Sequence, residues 1–162
     1  MGNELITNNG FESYIGTLDD NHTDNFSYHA EDTTRGIVEA VSDSYDGNSA
    51  CKLTDTSTVV GHPLGSSITN DVFTLTPGAN YRFSFYVKSD GSHIGKYRIY
   101  DVTNGAEISG FISTGVTETS YQSIQYDFIM PSGCTQIRWF LYAPNTLNAY
   151  SIFDNVSLRK VF

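Results

Sequence analysis

The stretch LTPGANYRFSFYVKSDG, residues 75–91, contains a turn, a strand-like run and a second turn. From Tyr81 to Lys88 apolar and polar side chains alternate, which is the pattern of a β-strand with one buried face. Because a shift of one residue would turn every side chain over, the alternation also assigns the two faces. The predicted core side chains are Tyr81, Phe83, Phe85 and Val87, and the predicted outward ones are Arg82, Ser84, Tyr86 and Lys88.

Similar alternating runs fill much of the remaining chain, separated by Asn-Gly, Asp-Gly, Pro-Gly and Ser-Gly steps that favour turns. The further predicted strands are Gly36 to Val41, Ser49 to Thr54, Ser67 to Leu75, Lys96 to Val102, Tyr121 to Met130, Gln136 to Tyr142 and Tyr150 to Lys160, with one short strand from Phe26 to Ala30 in a long loop. This spacing is typical of a β-sandwich or jelly roll. We predict an all-β fold, a single jelly-roll domain over residues 1–162.

Three of the predicted strands, the one from Tyr81 to Lys88 and two others, carry aromatic and arginine side chains on the face opposite the core. The predicted core positions are Tyr97 and Ile99 in KYRIYDV and Ile137, Trp139 and Leu141 in QIRWFLY. The predicted outward positions are Arg98, Tyr100, Arg138, Phe140 and Tyr142. An exposed aromatic strip usually marks a recognition surface. The alternative is that loops, or the segment from Tyr14 to Arg35, cover this face and bury its rings.

The chain is acidic, with 18 Asp and Glu against 9 Lys and Arg and a formal net charge of −9. Binding to a phosphate backbone needs clustered cations, so we expect no nucleic-acid partner. No apolar run approaches the roughly 20 residues that cross a bilayer, so we expect no membrane partner. The opening MGNELITNN lacks the basic flank and apolar stretch of an export signal. We expect either an excised module of a secreted protein or a component of a phage particle.

The residue types that carry catalysis form no recognisable set. The sequence has no GxSxG, HExxH or GxxxxGK motif, and its four histidines are scattered. We therefore predict that the chain is not an enzyme.

For Cys51 and Cys134 two interpretations stay open: a disulfide, if their α-carbons approach within about 7 Å, or small buried side chains.

Motifs at both ends and in the middle of the chain give it a family resemblance. They are ELITNNGFES at 4–13, LTPGANYRFSFYVKS at 75–89, a Tyr followed by DFIMP at 121–131, and YSIFDNVSLRKVF at 150–162. The chain resembles the carbohydrate-binding modules of families 4, 9, 16 and 22. The resemblance implies a jelly roll that binds an oligosaccharide or polysaccharide without altering it, as a secreted accessory domain of a glycoside hydrolase or another multimodular protein.

The resemblance also implies a structural calcium ion between the two chain ends. In those modules the glutamate of the first motif and the aspartate of the last strand are calcium ligands, matched here by Glu12 and Asp154. From YDGNSACKL, the resemblance implies the carboxylate of Asp46 and the carbonyl of Ser49. Calcium prefers such a mixture of carboxylate and carbonyl oxygens. Because NGF lacks the residue that often separates Gly from Phe, the carbonyl of Asn9 or Gly10 is left unassigned.

A sugar site needs rings that stack on the C–H face of a pyranose and polar groups that bond its hydroxyls. Strand phase alone places the candidates on outward faces. The candidate rings are Tyr86, Tyr100, Phe140 and Tyr142, and the candidate hydrogen-bonding groups are Arg98, Gln125, Asp127 and Arg138.

Two other functions remain open. The first is a structural or adhesion domain of a phage tail or cell-surface protein with the same fold, whose outer face contacts protein. The second is an enzyme acting on glycans, which would require two facing carboxylates about 5 to 9.5 Å apart in a sugar-sized cleft.

Overall fold

The computed structural model describes residues 2–6, 10–12, 36–56, 67–69 and 72–161. The strands are β1 Gly36–Val41, β2 Ala50–Asp55, β3 Ser67–Thr69, β4 Phe73–Thr74, β5 Asn80–Ser89, β6 Lys96–Asp101, β7 Ala106–Glu107, β8 Ile112–Ser113, β9 Gln122–Ile129, β10 Gln136–Tyr142 and β11 Tyr150–Val161. In these residues we find no helix that is long and apolar enough to cross a membrane. The predicted strand from Phe26 to Ala30 and the segment from Tyr14 to Arg35 lie outside the described residues.

The strands form two antiparallel sheets. Sheet A has the order β1-β2-β11-β5-β9. Sheet B has β10 and β6 at its centre, with β3 and β4 pairing with β10 and β7 and β8 pairing with β6. The long strands β5, β6, β9, β10 and β11 belong alternately to sheets A and B, so the chain crosses between the sheets at each step. The all-β jelly-roll prediction is confirmed.

The core lies between the sheets and is rich in aromatic rings. All the predicted core residues of β5, β6 and β10 are exposed by 4% or less. The ring of Phe83 lies 5.5 Å from that of Trp139, and the ring of Phe85 lies 5.3 Å from that of Tyr97. Each such side chain contributes about 1.5 to 3 kcal/mol of burial free energy, so these contacts hold the two sheets together.

One residue of β5 points away from the core, as predicted, but is covered by another part of the chain. Lys88 is buried, with 8% exposure, because the chain between β1 and β2 folds over this end of the strand. The Lys88 ammonium forms an ion pair with Asp43 and lies 4.6 Å from the ring centre of Tyr121. The Tyr121 hydroxyl in turn donates a hydrogen bond of 2.6 Å to the Asp43 carbonyl.

The shorter elements also differ from prediction. The predicted run from Ser67 to Leu75 contains two short strands, β3 and β4, which pair with different parts of β10. Strands β7 and β8 were not predicted, since two residues are too few to show a period.

The two cysteines are free and fully buried. Of the two interpretations that the sequence left open, the structure therefore supports small core side chains. Burial raises the pKa of the Cys51 thiol, and burial, together with the carboxylate of Asp101, raises that of Cys134 to about 11. Both thiols are protonated at neutral pH and are poor nucleophiles.

A bulge interrupts β11 where it leaves Asp154. Between the pairs Asp154–Tyr86 and Ser157–Ser84, two residues of β11 face one residue of β5. Asn155 takes the left-handed conformation there, with φ of 49°. The bulge lets both Phe153 and Val156 point into the core, while Asp154 and Ser157 point to the outer side of sheet A.

The chain ends pair with each other. Gly2 donates a backbone hydrogen bond to Lys160, and Leu5 donates one to Leu158. The Glu4 carboxylate accepts hydrogen bonds from the Ser157 hydroxyl and the Arg159 guanidinium. The two ends of the chain therefore lie together, as expected. This pairing brings Glu12 towards Asp154.

Candidate functional site

The eight predicted sugar-binding residues are divided between the two outer faces of the sandwich. Arg98, Tyr100, Arg138, Phe140 and Tyr142 project from β6 and β10 on the outside of sheet B. Tyr86, Gln125 and Asp127 project from β5 and β9 on the outside of sheet A. One ligand-binding surface cannot use all eight, because the core separates the two sets.

On sheet B, Arg98 is the centre of an aromatic cluster. Its guanidinium carbon lies 4.3 Å from the ring centre of Phe140 and 4.7 Å from that of Phe111. The rings of Tyr100 and Tyr142 follow at 5.4 and 5.8 Å. Arg98 also donates a 2.9 Å hydrogen bond to Glu107. Ring faces attract cations at these distances, so the cluster fixes the guanidinium. We call this surface the Arg98 face.

Two of the predicted stacking rings are not accessible on this face. Phe140 is 6% exposed and Tyr142 is fully buried. Their rings stack on each other at 6.0 Å, and Phe111 lies 5.3 Å from Tyr142. Strand phase correctly turned both away from the core but could not detect what covers them. In the structure both rings contact the Arg98 guanidinium, and they offer little accessible surface to a sugar.

The accessible parts of the Arg98 face are the rings of Tyr100 and Phe111 and the side chain of Arg138. Phe111 is 42% exposed, although it follows a turn and belongs to no strand. Arg138 pairs with Tyr100 across the β10–β6 ladder. Among the described residues, the Nε of Arg138 is buried and has no hydrogen-bond acceptor, an arrangement that costs free energy.

On sheet A, the carboxylate of Asp127 is already bound by another side chain of the same sheet. Arg82 binds its carboxylate through two hydrogen bonds, of 2.7 and 2.8 Å. These bonds lower the pKa of Asp127 below its usual value. The ring of Tyr86 stacks on that of Tyr45 at 3.5 Å. Gln125 is exposed beside them.

Two of the three acidic residues predicted for calcium, Glu12 and Asp154, converge near the chain ends. A β-carbon placed on Gly10 would lie 3.8 Å from Oδ1 of Asp154 and 3.9 Å from Oε1 of Glu12. Backbone N–H groups of Asn48 and Ser49 donate to Glu12, both at 2.9 Å. Those of Tyr45 and Asp46 donate to Asp154, at 2.7 and 3.1 Å. We call Glu12, Asp154 and residues 45–49 the terminal acidic site.

Among the described residues, no basic side chain forms an ion pair with the carboxylates of this site. Asp154 is fully buried, and in the described part of the chain the ion pairs involve neither it nor Glu12. Burial raises the pKa of Asp154, and the nearby charge of Glu12 adds to the rise, against the lowering effect of the backbone hydrogen bonds. Two hard carboxylates with uncompensated charge fit a calcium ion.

The other two predicted metal ligands are used differently in the structure. Asp46 is exposed, and its carboxylate accepts a hydrogen bond from the N–H of Gly47. Ser49 contributes its N–H to Glu12. Among the described residues no three acidic, histidine or cysteine side chains gather at one point. A bound ion would therefore need backbone carbonyls or water to complete its shell.

Sequence reasoning missed several residues of these surfaces. Phe111 carries no strand signal, since it lies between Gly110 and the two-residue strand β8. Tyr45 lies in a loop, and only the fold shows that it stacks on Tyr86. Alternation did place Arg82 and Ser84 outside, but their neighbours across β9 and β11 required the register.

With two antiparallel sheets, an outer aromatic face and paired chain ends in place, comparison with known proteins identifies the class. The model of the carbohydrate binding domain family matches residues 3–147. The chain belongs to this family. No curated protein matches the sequence.

Solved structures of the same fold include isolated modules and parts of larger chains. TmCBM61, in complex with β-1,4-galactotriose, is 16% identical with a TM-score of 0.63, over 98% of this chain and 99% of that chain. The CBM22-1 and GH10 modules of a Clostridium thermocellum endo-1,4-β-D-xylanase, complexed with xylohexaose, are 16% identical with a TM-score of 0.67, over 98% and 29%. The enzymatically active domain of bacteriophage CBA120 tailspike protein 4 is 14% identical with a TM-score of 0.62, over 98% and 21%. At these identities the likeness shows the fold.

Proposed function

We propose that the chain is a non-catalytic module that binds a glycan on the Arg98 face. The ligand is an oligosaccharide or polysaccharide whose sugar rings lie against Tyr100 and Phe111. Arg98 and Arg138 donate hydrogen bonds to its hydroxyl or ring oxygens, which remain chemically unchanged.

The observation that carries this proposal is the Arg98 cluster, in which a fixed guanidinium lies 4.7 Å from the ring centre of Phe111, and this ring is 42% exposed. Arg138, which pairs with Tyr100 across the same two strands, adds a second partly exposed arginine. The adjacent partly exposed rings supply the apolar surface that a pyranose needs. Arg98 is held by Glu107 and by the rings around it, so little side-chain entropy is lost when it binds a ligand.

The proposal includes a structural calcium ion at the terminal acidic site. Glu12 and Asp154 are its carboxylate ligands, and Asp46 and Ser49 remain the predicted further ligands. The support is the convergence of two carboxylates without a basic partner in the described residues. The ion would supply positive charge that offsets the repulsion between the carboxylates of Glu12 and Asp154. It would also tie the N-terminal segment to β11. It would play no part in sugar chemistry.

We place the module outside the cell, within a larger protein. The similar xylanase and tailspike chains support this proposal, because in both the matched part is a minor fraction of the chain. A structural role in a phage particle is compatible with the same fold. The two roles differ in whether the Arg98 face binds free glycan.

Variants of the Arg98 face test the proposed site. Tyr100→Ala and Phe111→Ala each remove one accessible ring, and we expect glycan affinity to fall from about twofold to about tenfold. Leu147→Ala is the matched control, since Leu147 is similarly exposed, at 48%, in the loop between β10 and β11 that bonds to the end of β2 in sheet A. Isothermal titration calorimetry with a glycan that the native chain binds measures the change in affinity. Equal affinities in all three variants would contradict the assignment.

A further inference from the structure

The outer face of sheet A carries an open groove of about 220 Å³. It is lined by side chains of three adjacent strands, β9, β5 and β11, among them Arg82, Ser84, Tyr86, Gln125, Ser157 and Arg159. We call it the Ser84 groove. It lies on the opposite side of the core from the Arg98 face, and a ligand in it would touch none of the residues of that face.

The register explains why a groove forms on what should be a flat sheet. Three cross-strand rows project outward from β9, β5 and β11. The middle row consists of the short or flexible side chains Gln125, Ser84 and Ser157. One flanking row contains Tyr86, raised further by the stacked ring of Tyr45, and the other contains Arg82 and Arg159. The flanking rows are four residues apart, or about 13 Å along the strands, so the low middle row forms a trough between two walls.

The two arginines of the groove are fixed and electrically balanced. Arg82 is bound by Asp127 through Nε and one terminal nitrogen, and Arg159 is bound by Glu4 through Nε. Both guanidiniums therefore keep further N–H groups while their charge is matched by a carboxylate. Because a carboxylate matches the charge of each arginine, the groove favours a ligand that accepts directional hydrogen bonds. It gives little preference to an anionic ligand.

The middle of the trough is polar and available. Within the described part of the chain, the side chains of Ser84, Ser123 and Gln125 make no hydrogen bond to protein. Hydroxyl and amide groups both donate and accept, which matches the hydroxyls of a sugar. The volume exceeds the roughly 150 Å³ of a cavity that admits a six-membered benzene ring, so a substituted six-membered ring fits.

We infer that the Ser84 groove is a second carbohydrate subsite, which takes one residue of a neutral oligosaccharide. The net charge of −9 disfavours an acidic sugar, and the polar lining disfavours an apolar ligand. The inference shares the ligand class of the proposed function but none of its residues. A chain with two subsites on opposite faces binds two glycan segments at once, which raises avidity for an insoluble or branched polysaccharide.

The test is a two-dimensional NMR titration of the chain with xylohexaose and, separately, with β-1,4-galactotriose. We expect the amide signals of Ser84, Ser123 and Ser157 to shift with at least one probe. In Ser84→Phe, which fills the trough, and in Gln125→Ala, which removes one exposed polar group without altering the core, these shifts should require at least fivefold more probe. Tyr100→Ala should leave them unchanged.

The outcomes separate this inference from the proposed function. If amides of Tyr100 and Arg138 shift while those of the groove do not, the second subsite is wrong and the Arg98 face stands. If Tyr100→Ala abolishes the groove shifts, there is one site and the inference is wrong. If neither face responds to either probe at millimolar concentration, the second subsite is wrong. Tighter binding of an acidic trigalacturonate than of the neutral probes would overturn the assigned ligand class.

Discussion

Asp154 lies directly opposite Tyr86 in the β5–β11 ladder, so the buried carboxylate of the terminal acidic site and the wall of the Ser84 groove are cross-strand neighbours. Tyr45 connects them a second time. Its N–H donates to Asp154 at 2.7 Å, and its ring stacks on Tyr86 at 3.5 Å. The loop that carries Tyr45 is thus held by the two carboxylates on one side and by a ring of the groove on the other.

Calcium is expected to stabilise the fold through Glu12 and Asp154. At a free concentration a hundredfold above its dissociation constant, a bound ion adds about 2.7 kcal/mol, which raises the melting temperature by roughly 5 to 11 °C for a domain of this size. Calorimetry with calcium and then with EDTA measures the difference. Glu12→Gln should remove most of it, whereas the control Glu39→Gln should keep it. A melting temperature that is the same in calcium and EDTA would contradict the site.

Gly47 is expected to be essential to the terminal acidic site. It has φ of +71°, and a β-carbon there would overlap Oε1 of Glu12. Gly47→Ala should therefore cost about 1 to 2 kcal/mol for the left-handed backbone, plus the displacement of Glu12. Gly115→Ala is a matched control, since its φ is +72° and nothing lies within 4 Å. Urea unfolding of both variants gives the difference, and equal losses would mean that Glu12 moves freely.

The fold was predictable because its cause is local. Alternation in β5, β6 and β10 identified nine core residues, and all are buried. The site was less predictable because its causes are not local. Tyr142 and Phe140 obey the same alternation as Tyr86, yet side chains distant in sequence bury the first two and leave the third half-exposed. Register, loop cover and the bulge at Asn155 follow from tertiary contacts that no strand period encodes.

Glu4 should make stability fall in acid. Burial alone would raise the pKa of this carboxyl, but hydrogen bonds from Ser157, Ile6, Leu158 and Arg159 together lower it below its ordinary 4.5. A lowered folded-state pKa gives stability that is present above the ordinary value and is lost as the pH falls through the folded value. Glu4→Gln should cost about 1.5 to 3 kcal/mol at pH 7, and the cost should decrease as the pH falls below 4.5. Urea unfolding over a series of pH values from 7 downwards tests this, and a cost that does not change with pH in acid would contradict it.

Tyr142 and Phe111 touch each other but should respond differently to truncation. Tyr142 is fully buried, so Tyr142→Ala should destabilise the fold by about 3 to 5 kcal/mol. Phe111 is 42% exposed, so Phe111→Ala should cost less than about 1.5 kcal/mol while weakening glycan binding. Chemical denaturation alongside titration separates the two effects. A large stability loss in Phe111→Ala would make that ring structural.

Affinity electrophoresis tests the central claim most directly. The native chain is run through gels cast with xylan, mixed-linkage glucan, laminarin, mannan and pectic galactan, beside a gel without polysaccharide. We predict retardation by at least one neutral glycan, with the glycan recovered at its original chain length. Unchanged mobility of the folded chain in every gel, or shortening of a retained glycan, would contradict a non-catalytic carbohydrate-binding module.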